Sequence, residues 1–321
     1  MIRYFLFFLA AIFLSIGASL YIQVSKKEFI EPTEIYIPKG STIEEIGEIL
    51  KKNRVIKNKT VFELYSRIKN KPLKYGYYRF EGSLSIKDVW EVLYRGKERL
   101  FRFTIIPGED LLDIGKKLER EGFIKKGIFY SFVFDKKNLK RYKLEGDSFE
   151  GYFPPETYFF RKNPDITEIV ETFLQVFKKK YTPILEKAGV NGLSPYQIMI
   201  IASLVEKETS ILEEKPIIAG VIINRLRKNM KLQIDPTVIY ALKLSGVWNG
   251  NLTKKNMGIN SPYNTYLYKG LPPTPISSFS IETLKSVVHY KKTDYLYFFS
   301  KDGKRHIFSE NYKEHIRKMT R

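Results

Sequence analysis

The sequence predicts an α+β protein with one N-terminal transmembrane helix, a small α+β module and a mostly helical domain that carries a β-hairpin near its C-terminus. Three observations predict this class: an uncharged apolar run at the start, an internal repeat that alternates strand and helix signals, and helical periodicity from about residue 165 to 244. The predicted boundaries are 1–27 for a membrane anchor, 30–145 for the module and 146–321 for the last domain.

Composition bounds the class of protein. The chain has 321 residues, of which 43% are apolar, so it can build a sizeable core. It has no cysteine, which excludes disulfides, zinc–thiolate sites and thiol nucleophiles. A net charge of +20 favours a polyanionic neighbour such as an anionic lipid surface or an acidic cell-wall polymer, although a lysine-rich solvated surface explains it equally well. No nucleic-acid partner is predicted, because no cluster of arginine and aromatic residues resembles a nucleic-acid-binding motif.

The first segment is an uncharged apolar run from Tyr4 to Ser25. About 20 such residues span a bilayer as a helix, so the membrane is a predicted partner through residues 4–25. The run is longer than a typical signal-peptide core, but a cleaved signal remains an alternative because Ala18 and Ser19 are small. The flanking basic charges balance and leave the orientation open.

Two similar segments follow. The first reads IPKGSTIEEIGEILKKNRVIKNKTVF from Ile37, and the second reads IIPGEDLLDIGKKLEREGFIKKGIFY from Ile105. The following residues recur 68 positions later as the same residue type: Gly40, Ile46, Gly47, Leu50 and Ile56. Each copy predicts a strand, a glycine turn, an amphipathic helix and a second short helix. In the first copy, Ser41 and Glu44 have the spacing of a capping box.

Further elements are predicted from local signals. The segment from Tyr75 to Phe80 has the composition of a strand, and Ser280 is expected to cap a short helix after an irregular stretch at 246–279. Near the end, residues 295–300 and 306–308 predict a hairpin that turns at Lys301-Asp302-Gly303, because Asp-Gly is a strong turn signal.

One helix carries a candidate catalytic residue. Ser194, Pro195 and Gln197 form a helix start, and the helix is expected to continue to Ile211. On a helical wheel Glu208 falls within the apolar arc, and Glu206 lies about 160° away from it. An isolated carboxyl on an apolar face is costly to ionise, so its pKa rises and it becomes a proton donor near neutral pH.

The alternative for Glu208 is a carboxylate at the edge of the core that is paired with a basic residue such as Arg225. Spacing alone does not exclude this pairing. For Asp235, which precedes Pro236, an ordinary helix N-cap is the alternative to a role in binding.

Several long motifs in one order resemble the endolytic murein transglycosylases of the MltG or YceG-like type. They are IASLVEKET, INRL, KLQIDPTVIYAL, SPYNTY and GLPPTPI, with GYFPPETYFF before them and YLYFFS…HIFS after them. The resemblance covers nearly the whole chain. It implies a single N-terminal anchor, a LysM-like module at 30–145, a catalytic domain at 146–321 on the extracytoplasmic side of the cell membrane, and Glu208 as the catalytic residue.

The resemblance also implies a cut between N-acetylmuramic acid and N-acetylglucosamine without water. The muramyl 6-hydroxyl attacks the anomeric carbon and leaves a 1,6-anhydro end, with one carboxyl acting first as acid and then as base. No cofactor or metal is implied, and the three histidines show no metal-ligand spacing. The implied partners are peptidoglycan glycan strands and cell-wall synthases.

Candidate substrate-binding residues lie within the same motifs. Aromatic, amide and hydroxyl groups suit sugar rings and N-acetyl groups, although a packed loop is the alternative for residues 263–266. The candidates are Glu206, Asn224, Arg225, Gln233, Asp235, Thr237, Tyr240, Tyr263, Asn264, Thr265 and Tyr266.

Two other functions remain open from sequence. One is a membrane-tethered binding or scaffold protein of the cell envelope without catalysis. The other is a peptidoglycan hydrolase that uses Glu208 together with Asp235, as two-carboxylate glycosidases do.

Overall fold

The computed structural model describes residues 2–97, 99–190, 192–301, 303 and 305–320, with the backbone alone for residues 2, 3, 5, 6, 9, 10 and 13. The chain divides into two compact units, Met1–Phe101 with Phe159–Lys162, and Arg102–Tyr158 with Asn163–Arg321. The α+β class is confirmed. The division does not coincide with the predicted boundary at 145/146, because the second copy of the repeat belongs to the second unit.

The first helix, α1 (Ile2–Ser25), forms where the apolar run predicts it. Its last turn packs on α3 and α4 of the same unit, where Val24 is buried. Within the described part of the chain, no helix is both long enough and apolar enough to cross a membrane. The transmembrane helix predicted for residues 4–25, and with it the anchor at 1–27, is therefore not confirmed.

The first unit is built around an antiparallel pair of strands with helices against it. Its remaining elements are β1 (Glu28–Ile37), α2 (Ile43–Lys52), α3 (Lys59–Lys69), β2 (Gly76–Leu84) and α4 (Ile86–Arg95). The pairing of β1 with β2 shifts register between Ile30 and Thr33, around Pro32, which has no N–H to give to the ladder. Leu50, Phe62 and other apolar side chains fill the core. The LysM likeness remains a prediction.

From residue 101 onward the chain is mostly helical. The elements are β3 (Phe101–Thr104), α5 (Leu111–Arg120), α6 (Ile128–Val133), α7 (Lys136–Arg141), β4 (Thr157–Phe160), α8 (Ile166–Lys180), α9 (Thr182–Glu186), α10 (Pro195–Glu208), α11 (Lys215–Arg227), α12 (Asp235–Leu244), α13 (Ile281–Val288), β5 (Tyr297–Ser300), β6 (His306–Ser309) and α14 (Tyr312–Met319). A 3₁₀ turn, Asn256–Gly258, interrupts the irregular stretch before α13. Strands β5 and β6 form the predicted antiparallel hairpin. Residue 302, at the predicted turn, lies outside the described residues.

The two repeat copies have the same local structure. Helices α2 and α5 occupy positions that differ by the repeat spacing, and each begins with a capping box. The caps are Thr42 and Asp110, whose side chains accept from the backbone N–H three residues later. The prediction of Ser41 as the cap is wrong by one residue, because its hydroxyl donates to the carbonyl of Pro38 instead.

Helix α10 lies at the centre of the second unit. Ser194 and Gln197 form the predicted capping box, and α11 and α13 pack against the helix. It ends at Glu208 rather than at Ile211. Ser203 is fully buried and its Oγ accepts from the backbone N–H of Ile276 at 3.0 Å. The helix is therefore covered on more faces than its amphipathic pattern indicates.

The close packing of α5 against α6 generates a prediction. A Cβ at Gly115 would lie 2.4 Å from Cε1 of Tyr130 and 2.8 Å from Cδ1 of Phe129, so the aromatic rings must move. Gly115→Ala is expected to lower the free energy of unfolding by about 1–3 kcal/mol, the usual cost of overpacking. Urea unfolding measures this change. The control is Gly189→Ala, where nothing lies within 4 Å. Equal stability of the two variants would contradict the packing described here.

Candidate functional site

Glu208 lies in a groove of the second unit with a volume of about 240 Å³. Helix α10 ends at this residue, and Thr209 continues the chain in extended conformation. The groove is lined by Glu208, Arg225, Leu232, Gln233, Asp235, Tyr266, Phe298, Phe299, Ser300 and His306. These ten residues are called the Glu208 groove below.

The carboxyl of Glu208 is partly exposed and unpaired. Within the described residues, no donor lies at hydrogen-bond distance from it, and it forms no salt bridge. Burial and, to a smaller extent, the negative charge of Asp235 raise the pKa of Glu208 to about 7, and the positive charge of Arg225 opposes both. A carboxyl with this pKa can hold a proton and release it near neutral pH.

Arg225 is not the ion-pair partner of Glu208. Its buried guanidinium donates through Nε to the carbonyl of Leu296 at 2.6 Å and through Nη1 to the carbonyl of Leu232 at 2.7 Å. It also lies over the ring of Tyr297, 5.1 Å from the centroid. The alternative that paired Glu208 with Arg225 is thus not found in the structure.

The loop before α12 forms another wall of the groove. Gln233 has a left-handed backbone, with φ of 52°, and its N–H donates to the carbonyl of Thr265 at 3.1 Å. Such a conformation costs a non-glycine residue about 1–3 kcal/mol and is enriched at functional sites. Its Oε1 lies 3.5 Å from Nη1 of Arg225. Gln233 is otherwise exposed and available to a ligand.

Asp235 is the first residue of α12 and does not cap it. The N-cap position is Ile234, and no side chain there bonds to the helix. The Oδ1 of Asp235 accepts instead from the hydroxyl of Tyr266 at 2.5 Å. Asp235 is exposed, so its carboxylate and the Tyr266 hydroxyl both face the groove. The prediction of an N-cap is corrected, because the side chain turns toward Tyr266.

Other predicted binding residues lie outside the groove. The hydroxyl of Thr237 is buried and donates to the carbonyl of Ile234, at 2.6 Å. Asn264 is fully buried and its amide donates to the carbonyls of Met257 and Ile259. The Oγ1 of Thr265 accepts from the N–H of Ile234 at 2.9 Å. These three polar side chains satisfy backbone groups of Ile234 and of the irregular stretch, and they hold the stretch against the start of α12.

Two tyrosines and an asparagine also have internal partners. Tyr240 is buried and its hydroxyl donates to Glu150 at 2.9 Å, while the hydroxyl of Tyr263 shares a hydrogen bond with Thr274 at 2.9 Å. The amide of Asn224 donates to the two carbonyls of residues 293 and 295, at 2.6 and 3.0 Å. Asn224 therefore fixes the segment that leads into the hairpin and does not line the groove.

Glu206 has the opposite environment to Glu208. Its Oε1 accepts from Nζ of Lys215 at 2.8 Å, and both side chains of this ion pair are buried. Its Oε2 accepts from the hydroxyl of Thr283 at 2.5 Å and from the N–H and hydroxyl of Ser280, each at 2.8 Å. Burial works against ionisation, but these donors lower the pKa of Glu206 overall. This carboxylate holds α13 in place and is not among the groove residues.

The hairpin forms a wall of the groove that the predicted site residues do not include. Phe298, Phe299, Ser300 and His306 line the groove, although they lie about 90 residues or more after Glu208 in the chain. The hairpin itself was predicted, but no local pattern shows which of its faces meets α10. Among the residues that the structure describes, no group of His, Asp and Glu side chains could hold a metal ion.

Comparison with known proteins supports the resemblance seen in the motifs. The YceG-like family matches residues 35–321. The chain belongs to the YceG-like family. A Bacillus subtilis (strain 168) relative named endolytic murein transglycosylase is 31% identical over 93% of this chain and 88% of its own length. A Streptococcus pneumoniae (strain D39) relative with the same name is 30% identical over 93% of this chain, which spans 59% of that protein.

A solved structure agrees with this membership. The crystal structure of a YceG-like protein from Listeria monocytogenes aligns with a TM-score of 0.60 and 30% sequence identity. The alignment covers 89% of this chain and 98% of the other. The predicted YceG-like family is therefore confirmed by sequence and by fold.

The unpaired state of Glu208 generates a prediction about stability. Its folded-state pKa of about 7 is above the ordinary 4.5, so the folded protein holds a proton that the unfolded chain releases between these values. Stability from this group therefore falls as pH rises through that window and stays low above it. Glu208→Gln is expected to be more stable than the unmodified protein by about 1–3 kcal/mol at pH 8, with little difference at pH 4.

Thermal and urea unfolding across pH measure this difference. The matched control is Glu213→Gln, an exposed glutamate outside the groove, which should show no pH-dependent gain. A Glu208→Gln protein that is less stable at pH 8 would mean that the carboxylate has a stabilising partner.

Proposed function

We propose that this protein is an endolytic lytic transglycosylase that cuts murein glycan strands in the cell envelope, with Glu208 as general acid and base. Relatives in the same family carry the name endolytic murein transglycosylase. The bond proposed to break joins N-acetylmuramic acid to N-acetylglucosamine, and the product end is a 1,6-anhydro sugar.

A single observation carries this proposal. Of the two carboxyls that line the groove, that of Glu208 has a pKa of about 7 and no hydrogen-bond partner among the described residues, whereas that of Asp235 accepts from the Tyr266 hydroxyl. A proton donor for a glycosidic oxygen needs these properties, since a fully ionised carboxylate has no proton to give. The buried ion pair of Glu206 with Lys215 excludes the neighbouring glutamate from the same task.

The chemistry follows from the protonation state. Glu208 gives its proton to the glycosidic oxygen as the bond to the anomeric carbon breaks. The muramyl 6-hydroxyl attacks that carbon and gives its proton to the Glu208 carboxylate, which returns the active site to its starting state. An attacking group inside the substrate has a high effective concentration, so no water and no carboxylate nucleophile are required.

The remaining groove residues suit a saccharide. Gln233 offers an amide for hydroxyl or N-acetyl groups, and Asp235 and Tyr266 offer an acceptor and a polarised hydroxyl. Phe298 and Phe299 supply apolar surface for the face of a sugar ring. Arg225 contributes through the positions of the loops that it binds, because its donors are directed at carbonyls.

The presence of Asp235 in the same groove favours one second candidate, a hydrolase. The charge of Asp235 raises the pKa of Glu208, so the two carboxyls interact electrostatically. A hydrolase would use Asp235 as the nucleophile or to activate water. The exposed Asp235 is engaged by the Tyr266 hydroxyl, which suits a supporting role.

Loss of the acid is the first activity test. Glu208→Gln is expected to lower the rate of glycan cleavage by about 10²- to 10⁴-fold, because the amide keeps the shape but has no transferable proton. Release of soluble fragments from purified sacculi measures the rate. Glu213→Gln is the control and should retain full activity. Activity of the Glu208→Gln protein within about threefold of the unmodified protein would contradict the assignment.

The products distinguish the two chemistries. The unmodified protein is expected to release internal fragments with 1,6-anhydro ends, which weigh one water less than hydrolysed ends in mass spectrometry. Asp235→Asn should keep this product. Losing the Asp235 charge lowers the pKa of Glu208, so the pH above which activity declines should shift to a lower value than in the unmodified protein. Mainly hydrated ends from the pure enzyme would instead establish the hydrolase.

A further inference from the structure

His306 lies in a wall of the Glu208 groove and was not among the predicted site residues. It is the first residue of β6 and pairs with Ser300, which also lines the groove. Its ring meets Phe298 edge to face, with centroids 5.4 Å apart. The side chain is partly buried, with 11% of its surface exposed. The hairpin thus places an imidazole in the same small groove as the carboxyl of Glu208.

Glu214 fixes the position of this imidazole. Its Oε2 lies 2.7 Å from Nδ1 of His306, and its Oε1 accepts from the backbone N–H of His306 at 2.9 Å. The hydroxyl of Thr209 donates to the same carboxylate at 3.1 Å. Burial opposes ionisation, but these donors lower the pKa of Glu214 overall, so it is a carboxylate at neutral pH.

The state of the ring follows from this contact. A carboxylate can only accept hydrogen bonds, so Nδ1 of His306 must carry the proton that it shares with Glu214. In a neutral imidazole the other nitrogen, Nε2, then holds a lone pair. Nε2 has no hydrogen-bond partner among the described residues and is not fully buried. It is therefore an accessible nitrogen on a side chain that lines the groove.

The same contacts tie the imidazole to the acid. Thr209 directly follows Glu208, and its hydroxyl also accepts from the N–H of Ile211 at 3.1 Å. The end of α10 and the start of β6 are thus joined through Glu214. A nucleophile's base that is oriented by a carboxylate is a common catalytic arrangement. Here the arrangement lies beside a residue with the properties of a general acid.

We propose that Nε2 of His306, oriented by Glu214, accepts the proton of the attacking muramyl 6-hydroxyl while Glu208 supplies a proton to the leaving oxygen. This inference rests on the proposed function and refines it, because Glu208 remains the acid and His306 takes over the role of base. The bond from O6 to the anomeric carbon forms as the bond to the leaving oxygen breaks. The O6 proton moves to Nε2, the Glu208 proton moves to the leaving oxygen, and transfer from His306 to Glu208 through solvent restores both.

This division of labour has a physical advantage. The leaving oxygen and the attacking 6-hydroxyl are different atoms of the substrate, and one carboxyl must otherwise serve both. Two groups on different walls of the groove can each be positioned for one oxygen. The carboxylate of Glu214 stabilises the imidazolium that forms when Nε2 takes up the proton.

The test separates this role from a structural one. In His306→Asn, the side-chain amide nitrogen can still donate to Glu214 and the backbone N–H is unchanged, but no nitrogen with a lone pair faces the groove. The full-length variant is expected to unfold at the same temperature as the unmodified protein. Its kcat on soluble glycan strands should fall about 10²-fold, with KM unchanged within threefold. The control is His289→Asn, an exposed histidine outside the groove.

The possible outcomes decide the proposal. The proposal is overturned if kcat of the folded His306→Asn protein stays within threefold of the unmodified value. It is also overturned if the loss of activity lies in KM alone, or if that loss disappears when rates are normalised to the amount of folded protein. If His306→Asn fails to fold, Glu214→Gln replaces it, since Gln still accepts from Nδ1 but lacks the charge. Its kcat should fall about tenfold, and an unchanged kcat overturns the proposal.

Failure of the proposed function would look different. An unmodified protein that releases no anhydro ends contradicts the transglycosylase activity itself. Anhydro ends from the unmodified protein together with a fully active His306→Asn protein contradict only the role of His306.

Discussion

The groove depends on how the buried guanidinium of Arg225 is satisfied. This group stays charged in any protein, so its burial requires acceptors at its N–H groups. It finds them in the carbonyls of Leu232 and Leu296, and α11 is thereby joined to the loop before α12 and to the segment before β5. Because these donors are directed at carbonyls, Glu208 nearby has no ion-pair partner among the described residues. The same interaction builds two walls of the groove and leaves the carboxyl between them free.

Two glutamates on one helix show how position along α10 gives two carboxyls opposite environments. Glu206 faces the region where α11 and α13 pack, and Lys215 and Thr283 neutralise and solvate its carboxylate. Glu208 is the last residue of the helix, where the packing opens into the groove. The helical wheel correctly placed the two on different sides. It could not show that the side of Glu206 is also buried, since that burial comes from helices later in the chain.

The repeat shows that equal local signals can have different tertiary uses. Both copies form a capped helix of the same length, but the second is built into the unit that contains the groove. There the carbonyl of Gly108 accepts from Lys207 at 3.0 Å, and its N–H donates to Ser278 at 2.9 Å. Asp110 caps α5 and also accepts from Lys243 of α12 at 2.6 Å. These contacts explain why the compact units divide before the second copy and not after it.

The sequence by itself determined two things: the secondary-structure elements that are specified by neighbouring residues, and the family, which is recognised from whole motifs. The capped start of α10 at Ser194, the hairpin and the placement of Glu206 and Glu208 on different sides of α10 are of this kind, because spacing within a few turns decides them. Only the tertiary structure decided which polar residues of the motifs face the groove. The side chains of Thr237 and Asn264 form internal hydrogen bonds, whereas His306 lines the groove from a strand that begins 98 residues after Glu208. The physical reason is that these assignments depend on contacts between segments far apart in the chain, which residue type and local spacing do not encode.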